Sequence, residues 1–415
     1  MAEKLKIKFG ALSSMQGEAV RDGQLLIEGD RILSIEASSQ GPADIRTLDL
    51  SDYFLLPGFV NAHCHLSLSA LKGKLQKRER FTDWVRDLLR VNAAVTFSER
   101  LEAMREASQE MMRSGVTSLG DYLSQAELLP EYANFPFRQI LFWETLGFKS
   151  DAATQIVARL EDLLDSFDAG SESLRSGIAP HAPYSVSPEL FKALRKLAKR
   201  HSAPWSCHVA EFPEEERFLK EGGGEMAAFL QERGALDPNW RPPGKGPVAY
   251  LDALGVLNQM TLIHANHMDM NDLDRIASNK ASAVFCPGSS QWFGRRELLP
   301  IPELRARKIA VGLGTDSLAS NESLNFLREL RIASATFPEI SHRAWLEMAT
   351  REGAKALGLN SGILAPGRPA DVIGFRMPAD VEDPETLPFE ETRQNADFVM
   401  SRGKIVWHPH AEPAS

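Results

Sequence analysis

The sequence predicts an α/β protein built on a (β/α)8 TIM-like barrel, with strand-rich segments at both termini. Three observations carry this. Eight short apolar, β-prone runs occupy the middle of the chain: FLLPGFVNAHCH, GVTSLGDYL, RQILFWETLG, GIAPHAP, WSCHVAE, TLIHANH, SAVFCPG and IAVGLGTD. Helix-patterned segments fall between most of them, which argues for βα units and a parallel sheet. Polar residues able to bind a metal or move a proton stand at the C-terminal ends of several runs, where a closed parallel barrel gathers its loops.

Taken in order, residues 1 to about 54 read as short strands joined by polar turns, with GQLLIEGDRILSIEA alternating in character around EGDR. Residues 55–361 carry the alternating strands and helices, and about 362–415 return to the terminal texture in GILAPGRPADVIGF and NADFVMSRGKIVWH. Neither end could readily bury a core alone, so the two are expected to pair. Among the helices, SERLEAMREASQEMMRSG ends in a glycine suited to a C-cap. SPELFKALRKLAKRH opens on Ser-Pro and places basic residues in its last turn. DAATQIVARLEDLLDSF and SLNFLRELRIASATF are similar. EFPEEERFLKEGGGEMAAFL reads either as a solvated helix with a glycine cap or as a lid. Eight strands with crossover helices favour a barrel over an open doubly wound sheet, and the two glycines of GLGTDS make no dinucleotide fingerprint.

The first run carries His63 and His65, whose i, i+2 spacing on a strand sends both imidazoles to one side. His208 ends the fifth run and Asp316 the eighth. Together they offer three imidazoles and one carboxylate, a donor set suited to Zn²⁺ and compatible with Fe²⁺ or Mn²⁺. Glu211, three residues beyond His208, is placed to move protons, and His264 ends the sixth run where it could stabilise charge. The competing reading of Asp316 is a cap for the helix that SLASNESLNFL would begin. Weaker pocket candidates are Glu144, which could hold a ring nitrogen or a sugar hydroxyl or simply make a salt bridge, and Trp84, whose spacing suits a core residue as well as a stacking platform. His201 suits a helix C-terminus, His267 a structural loop, and His342, His408 and His410 lack site context.

Composition bounds the function classes. Of 415 residues, 43% are hydrophobic and 25% charged, ordinary for a globular protein, and the net charge of −9 gives no support for nucleic-acid binding. No long uncharged apolar run suggests a membrane span and no signal-like stretch opens the chain, so a cytoplasmic protein is expected. Cys64, Cys207 and Cys286 make no disulfide framework and read as small buried hydrophobes, the first two pointing away from the histidines beside them.

The segments PGFVNAHCH, APHAPYSV, CHVAE, LIHANHMD, VFCPGSS and LGTDSLASN, in this order from about residue 55 to 325, resemble the amidohydrolase superfamily in its branch of zinc-dependent aminohydrolases and chlorohydrolases. The resemblance implies a small β-sandwich made from both chain ends and one metal ion, because the bridging lysine of binuclear relatives is missing and His181 stands on the fourth strand. It implies Glu211 as general acid/base, His264 as an electrostatic partner, and His181 in contact with a small heterocyclic amine substrate. It also allows a homodimer. HCHLSLSALKG, FTDWVRDLL, HAPYSV and ERFLKEGGGEMAAFL look most like adenosine-type deaminases, the aminodeoxyfutalosine deaminases of menaquinone synthesis among them. The alternatives are a chlorohydrolase or cyclic amidase using the same site, or a guanine or pterin deaminase. One departure stands out: relatives commonly read Cys-Pro-x-Ser-Asn, whereas here CPGSSQWFGRRELLP places Ser290 at the Asn position. Trp292 and Phe293 could then reshape the pocket mouth, and Arg295 or Arg296 could meet an anionic group or simply line the surface.

Overall fold

The computed structural model describes residues 3–37, 45–167 and 173–409; His410 lies outside them. The chain starts in a hairpin-rich sheet: β1 (Lys4–Leu12), β2 (Val20–Glu28), β3 (Arg31–Glu36) and β4 (Arg46–Pro57). The EGDR segment turns β2 into β3 at Gly29–Asp30, with Glu28 paired to Arg31. β4 stays in this sheet to Pro57, past residue 54, because its last residues pair antiparallel with a strand from the other chain end, Pro57 opposite Val372.

The eight expected barrel strands follow: β5 (Phe59–Cys64), β6 (Val116–Leu123), β7 (Arg138–Thr145), β8 (Leu174–Pro180), β9 (Ser206–Val209), β10 (Thr261–His264), β11 (Ser282–Phe285) and β12 (Val311–Leu313). They form an all-parallel sheet in the order β8-β7-β6-β5-β12-β11-β10-β9. A parallel bridge between Ile178 and Trp205 joins the two ends and closes the barrel. Helices cross over outside it. Ser187 caps Pro188–Arg200 with its side chain, where the Ser-Pro signal places it, and Thr96 with Glu99 forms a capping box on Phe97–Arg113.

β13 (Val372–Arg376), β14 (Phe398–Ser401) and β15 (Lys404–Trp407) then join the first strands in one seven-stranded sheet, order β15-β14-β13-β4-β1-β2-β3. Both chain ends fill its core, Ile7, Leu25 and Leu50 packing with Val372, Phe398 and Met400. The barrel lumen has a separate apolar floor that includes Val60, Ala62, Ile140, Phe142, Ala179 and Ile263. Cys64 and Cys207 belong to the layer between strands and helices and Cys286 to the lumen; all three are buried thiols. Among the described residues no helix is long and apolar enough to cross a membrane.

Candidate active site

Each polar residue singled out at a strand end arrives at the same mouth of the barrel. On β5, Val60 and Ala62 face the lumen, and the register with β6 then shifts between Asn61 and Cys64. Within that irregularity His63 also turns inward, its ring 4.4 Å from that of Tyr122, while Cys64 points outward to Asp121. His65 follows with its ring 4.9 Å from that of His63. Close approach of the eighth strand needs Gly314, because a Cβ there would lie 2.9 Å from the His63 Cβ. Three strand ends then take left-handed backbone: Ala210 at φ +52°, His264 at +68° and Asp316 at +58°. Such conformations cost non-glycine residues about 1–3 kcal/mol each and gather at functional sites.

Asp316 lies next to both histidines of the first strand. Its Oδ1 is 3.6 Å from His63 Nε2 and 3.9 Å from His65 Nε2, while its Oδ2 accepts hydrogen bonds from Ser289 at 2.7 Å and Ser320 at 2.8 Å. It does not cap the following helix; Asn325 does that for Phe326–Thr336. His208 packs against His63 with ring centroids 4.9 Å apart, and its Nδ1 donates to the His181 carbonyl at 3.0 Å. That bond sets the tautomer and leaves Nε2 as a lone-pair donor.

The fit to a metal can be judged on this geometry. The donor atoms of His63, His65 and Asp316 lie within 4.8 Å of one another, as do those of His63, His208 and His264. Two ligands bound at about 2.1 Å in a tetrahedral shell are about 3.4 Å apart, close to the observed spacings. Both ring nitrogens of fully buried His63 lack a hydrogen-bond partner, a costly state for a polar group unless a cation takes up the lone pair. Burial lowers its pKa to about 3 and pushes His208 well below its usual range, so both imidazoles are neutral, the form a metal needs. Burial pushes Asp316 the other way, but the proximity of His63 and the potential of His264 and His65 hold its carboxyl well below the usual range. The residues therefore fit a single divalent ion.

Glu211 and His264 stand beside this cluster, with Glu211 Oε2 3.7 Å from His264 Nε2. The Glu211 backbone N–H donates to Glu215 at 3.0 Å and its carbonyl accepts from Asn266 at 3.4 Å. Arg295 donates to Glu211 Oε1 at 3.1 Å, so the segment that departs from the family pattern reaches the site through Arg295, while Arg296 is exposed. His181 is half-buried, with desolvation lowering its pKa to about 4, and its Nδ1 meets Ser185 at 2.6 Å. Glu144 lies 3.8 Å from His208 Nδ1, and burial raises its pKa. Trp84 and Trp292 sit further out in an aromatic roof with Phe81 and Phe293, the Trp84 and Phe293 rings 5.0 Å apart.

The EFPEEERFLKEGGGEMAAFL segment forms two helices, Pro213–Glu221 and Gly224–Glu232, the first ended by left-handed Gly222. They meet the helix Phe81–Asn92 through ion pairs Arg86–Glu232 and Arg80–Glu225 and a 3.6 Å stack of Phe81 on Phe212. The segment therefore packs as part of the roof. The remaining histidines stay outside the cluster: His267 pairs with Glu297, His201 ends a helix near Asp165, His342 stacks on Phe389, and the His408 ring lies near that of Tyr53.

Sequence reasoning missed the groups that support the site. Ser289 and Ser320 hold Asp316, and Asp121 accepts from the Cys64 thiol, the Leu66 N–H and the Tyr132 hydroxyl. Glu329, whose pKa burial raises to about 7, accepts from the Gly288 N–H and from Asn321. Only Glu215 had a local signal, standing one helical turn after Glu211.

Comparison with known proteins agrees with this architecture. The chain is 31% identical over 415 residues to the 5-methylthioadenosine/S-adenosylhomocysteine deaminase of Nitratidesulfovibrio vulgaris, covering 94% of this chain and 87% of that protein. It is 28% identical over 338 residues to the aminodeoxyfutalosine deaminase of Nitratiruptor sp., covering 80% and 81%. Among solved structures, the aminofutalosine deaminase of Helicobacter pylori in complex with methylthio-coformycin superposes with a TM-score of 0.85 at 24% identity, over 98% of this chain and 100% of that one. Residues 54–406 match the amidohydrolase family, from within β4 to the last strand of the terminal sheet. The chain belongs to the amidohydrolase family and is a hydrolase acting on carbon–nitrogen bonds.

Proposed function

We propose that the chain is a zinc-dependent hydrolytic deaminase that removes the 6-amino group of adenine-type nucleosides. The observation that carries this reading is the pair of buried donor groups that share His63, one with His65 and Asp316 and the other with His208 and His264, with the Glu211 carboxylate 3.7 Å from His264. The deaminase names of relatives matched over most of their length support the substrate class. What zinc supplies when bound is water activated for attack near neutral pH.

The chain's own residues do the rest. Glu211 takes a proton from the attacking water as the new C–O bond forms at the ring carbon. It returns that proton to the exocyclic nitrogen as the C–N bond breaks, and ammonia leaves with the oxo purine as the other product. His264 stabilises the charge that builds up at the tetrahedral carbon, and Asp316 offers a second proton acceptor. His181 contacts the purine ring, Glu144 bonds a ring nitrogen or ribose hydroxyl, and Trp84 and Trp292 close the far end. Aminodeoxyfutalosine is the leading individual substrate, and methylthioadenosine and S-adenosylhomocysteine are the nearest competitors. The test is ammonia release by the zinc-loaded protein across these three, adenosine, guanine, pterins and an aminated triazine. Release confined to adenine nucleosides supports the reading; release from guanine or triazine alone, or none at all, would sink it.

A further inference from the structure

We propose that Arg295 is a positioning residue for Glu211, assigning one carboxylate oxygen to anchoring and leaving the other for the proton. This rests on the deaminase reading for its chemistry, but the geometry stands apart from it. The short helix Pro287–Phe293 ends at Gly294 in the left-handed conformation, φ +66°, and the Arg295 N–H closes back on the Ser290 carbonyl at 2.9 Å. That reversal sends the side chain back over the barrel mouth. Its guanidinium carbon lies 4.8 Å from the Phe212 ring centroid and 4.5 Å from that of Phe293, so two aromatic faces hold the cation. From there Nη2 donates to Glu211 Oε1 at 3.1 Å, and both side chains are nearly buried, at 13% and 10% exposure.

The two oxygens of Glu211 therefore have different surroundings: Oε1 meets Arg295, and Oε2 points to His264 at 3.7 Å. A carboxylate that must take a proton on one side of the reacting carbon and return it on the other gains from being held in a single rotamer. A charge-assisted bond from a clamped guanidinium provides that hold. Lysine offers a point charge without the planar donor pair, so it replaces arginine only in part.

The test uses the zinc-loaded full chain and its best nucleoside substrate. Arg295→Met is expected to lower kcat about tenfold to a hundredfold, with KM within a few-fold and bound zinc unchanged. Arg295→Lys should recover part of that loss. In a Glu211→Gln background, Arg295→Met should cost little more, because it acts through the carboxylate. A raised KM with kcat intact would assign Arg295 to substrate binding and overturn the proposal, as would an undiminished loss in the Glu211→Gln background. If Arg295→Met does not fold, Phe293→Leu, which removes one face of the clamp, carries the same comparison with a smaller loss. A crystal structure of the Arg295 variant gives a readout free of turnover: Glu211 should leave its rotamer facing His264, and an unmoved Glu211 sinks the idea. Absence of ammonia release by the unsubstituted chain would count against the deaminase reading alone, since the rotamer result stands without it.

Discussion

The floor and the mouth of the barrel are built from the same strands and solve opposite problems. On β5, Val60 and Ala62 pack with Ile140, Phe142 and Ile263 into a dry apolar floor. One residue further on, His63 sits fully buried with neither ring nitrogen satisfied. On β10, Ile263 belongs to the floor and His264, the next residue, adopts φ +68° at the mouth. The floor lowers the free energy of folding through packing. The mouth raises it, through unpartnered polar groups and left-handed backbone, and keeps groups ready for a cation and a substrate. Stability and chemistry are thus separated by a single residue along the strand.

Glu211→Gln separates the two regions most strongly. If the mouth serves chemistry and not folding, activity should fall about 10²–10⁴-fold while melting temperature stays level or rises. A large loss of stability alongside the activity would show that the mouth also holds the fold together. Phe142→Ala tests the other end: it should lower unfolding free energy by about 3–5 kcal/mol in a denaturant titration, while the folded fraction keeps activity close to that of the parent chain. Chelation falls between these. Removing the metal should abolish activity reversibly and lower the melting temperature in proportion to metal affinity, with restoration on adding zinc.

Smaller effects sharpen the picture beneath and above the site. Burial raises the Glu215 pKa to about 8, well above the usual carboxylate range, with one oxygen lacking a partner. The native state therefore holds this proton more tightly than the unfolded chain does. The associated stability is complete below the unfolded value and declines as pH rises, being lost through about 8. Glu215→Gln should flatten the fall in melting temperature across that window, and an unchanged slope would mean that the carboxyl is ionised in the native state. The roof pair Arg86–Glu232 is short at 2.6 Å, yet its side chains are 37% and 53% exposed. Arg86→Ala should change stability by no more than about 1 kcal/mol, measurable by thermal melt, since solvent screens such pairs.

Much of this was legible in the chain itself. All eight barrel strands follow from short β-prone runs, and the i, i+2 spacing of His63 and His65 marked them as neighbours, although His63 turns inward through a register shift and His65 lies just past the strand end. Both depend on local periodicity, which a sequence carries directly. Asp316 was locally ambiguous, since a polar residue ahead of a helix pattern reads equally well as a cap; the chain resolves it by capping that helix with Asn325. EFPEEERFLKEGGGEMAAFL was ambiguous for a different reason, because a solvated helix and a roof helix share one amphipathic pattern and differ only in what lies opposite. Here the helix Phe81–Asn92 lies opposite.

The barrel, the strand-rich termini and the residue types gathered at the mouth are thus written into the chain locally, because backbone periodicity and strand-end placement are local properties. Which partners those residues meet depends on contacts made across the fold. The Ser289 and Ser320 bonds to Asp316, the Glu329 contact to Gly288 and the clamping of Arg295 over Glu211 each join segments distant in sequence or separated by a turn. Such contacts form only when closure of the barrel brings strand ends together, and no spacing along the chain encodes the distance between two loops that fold across the same opening.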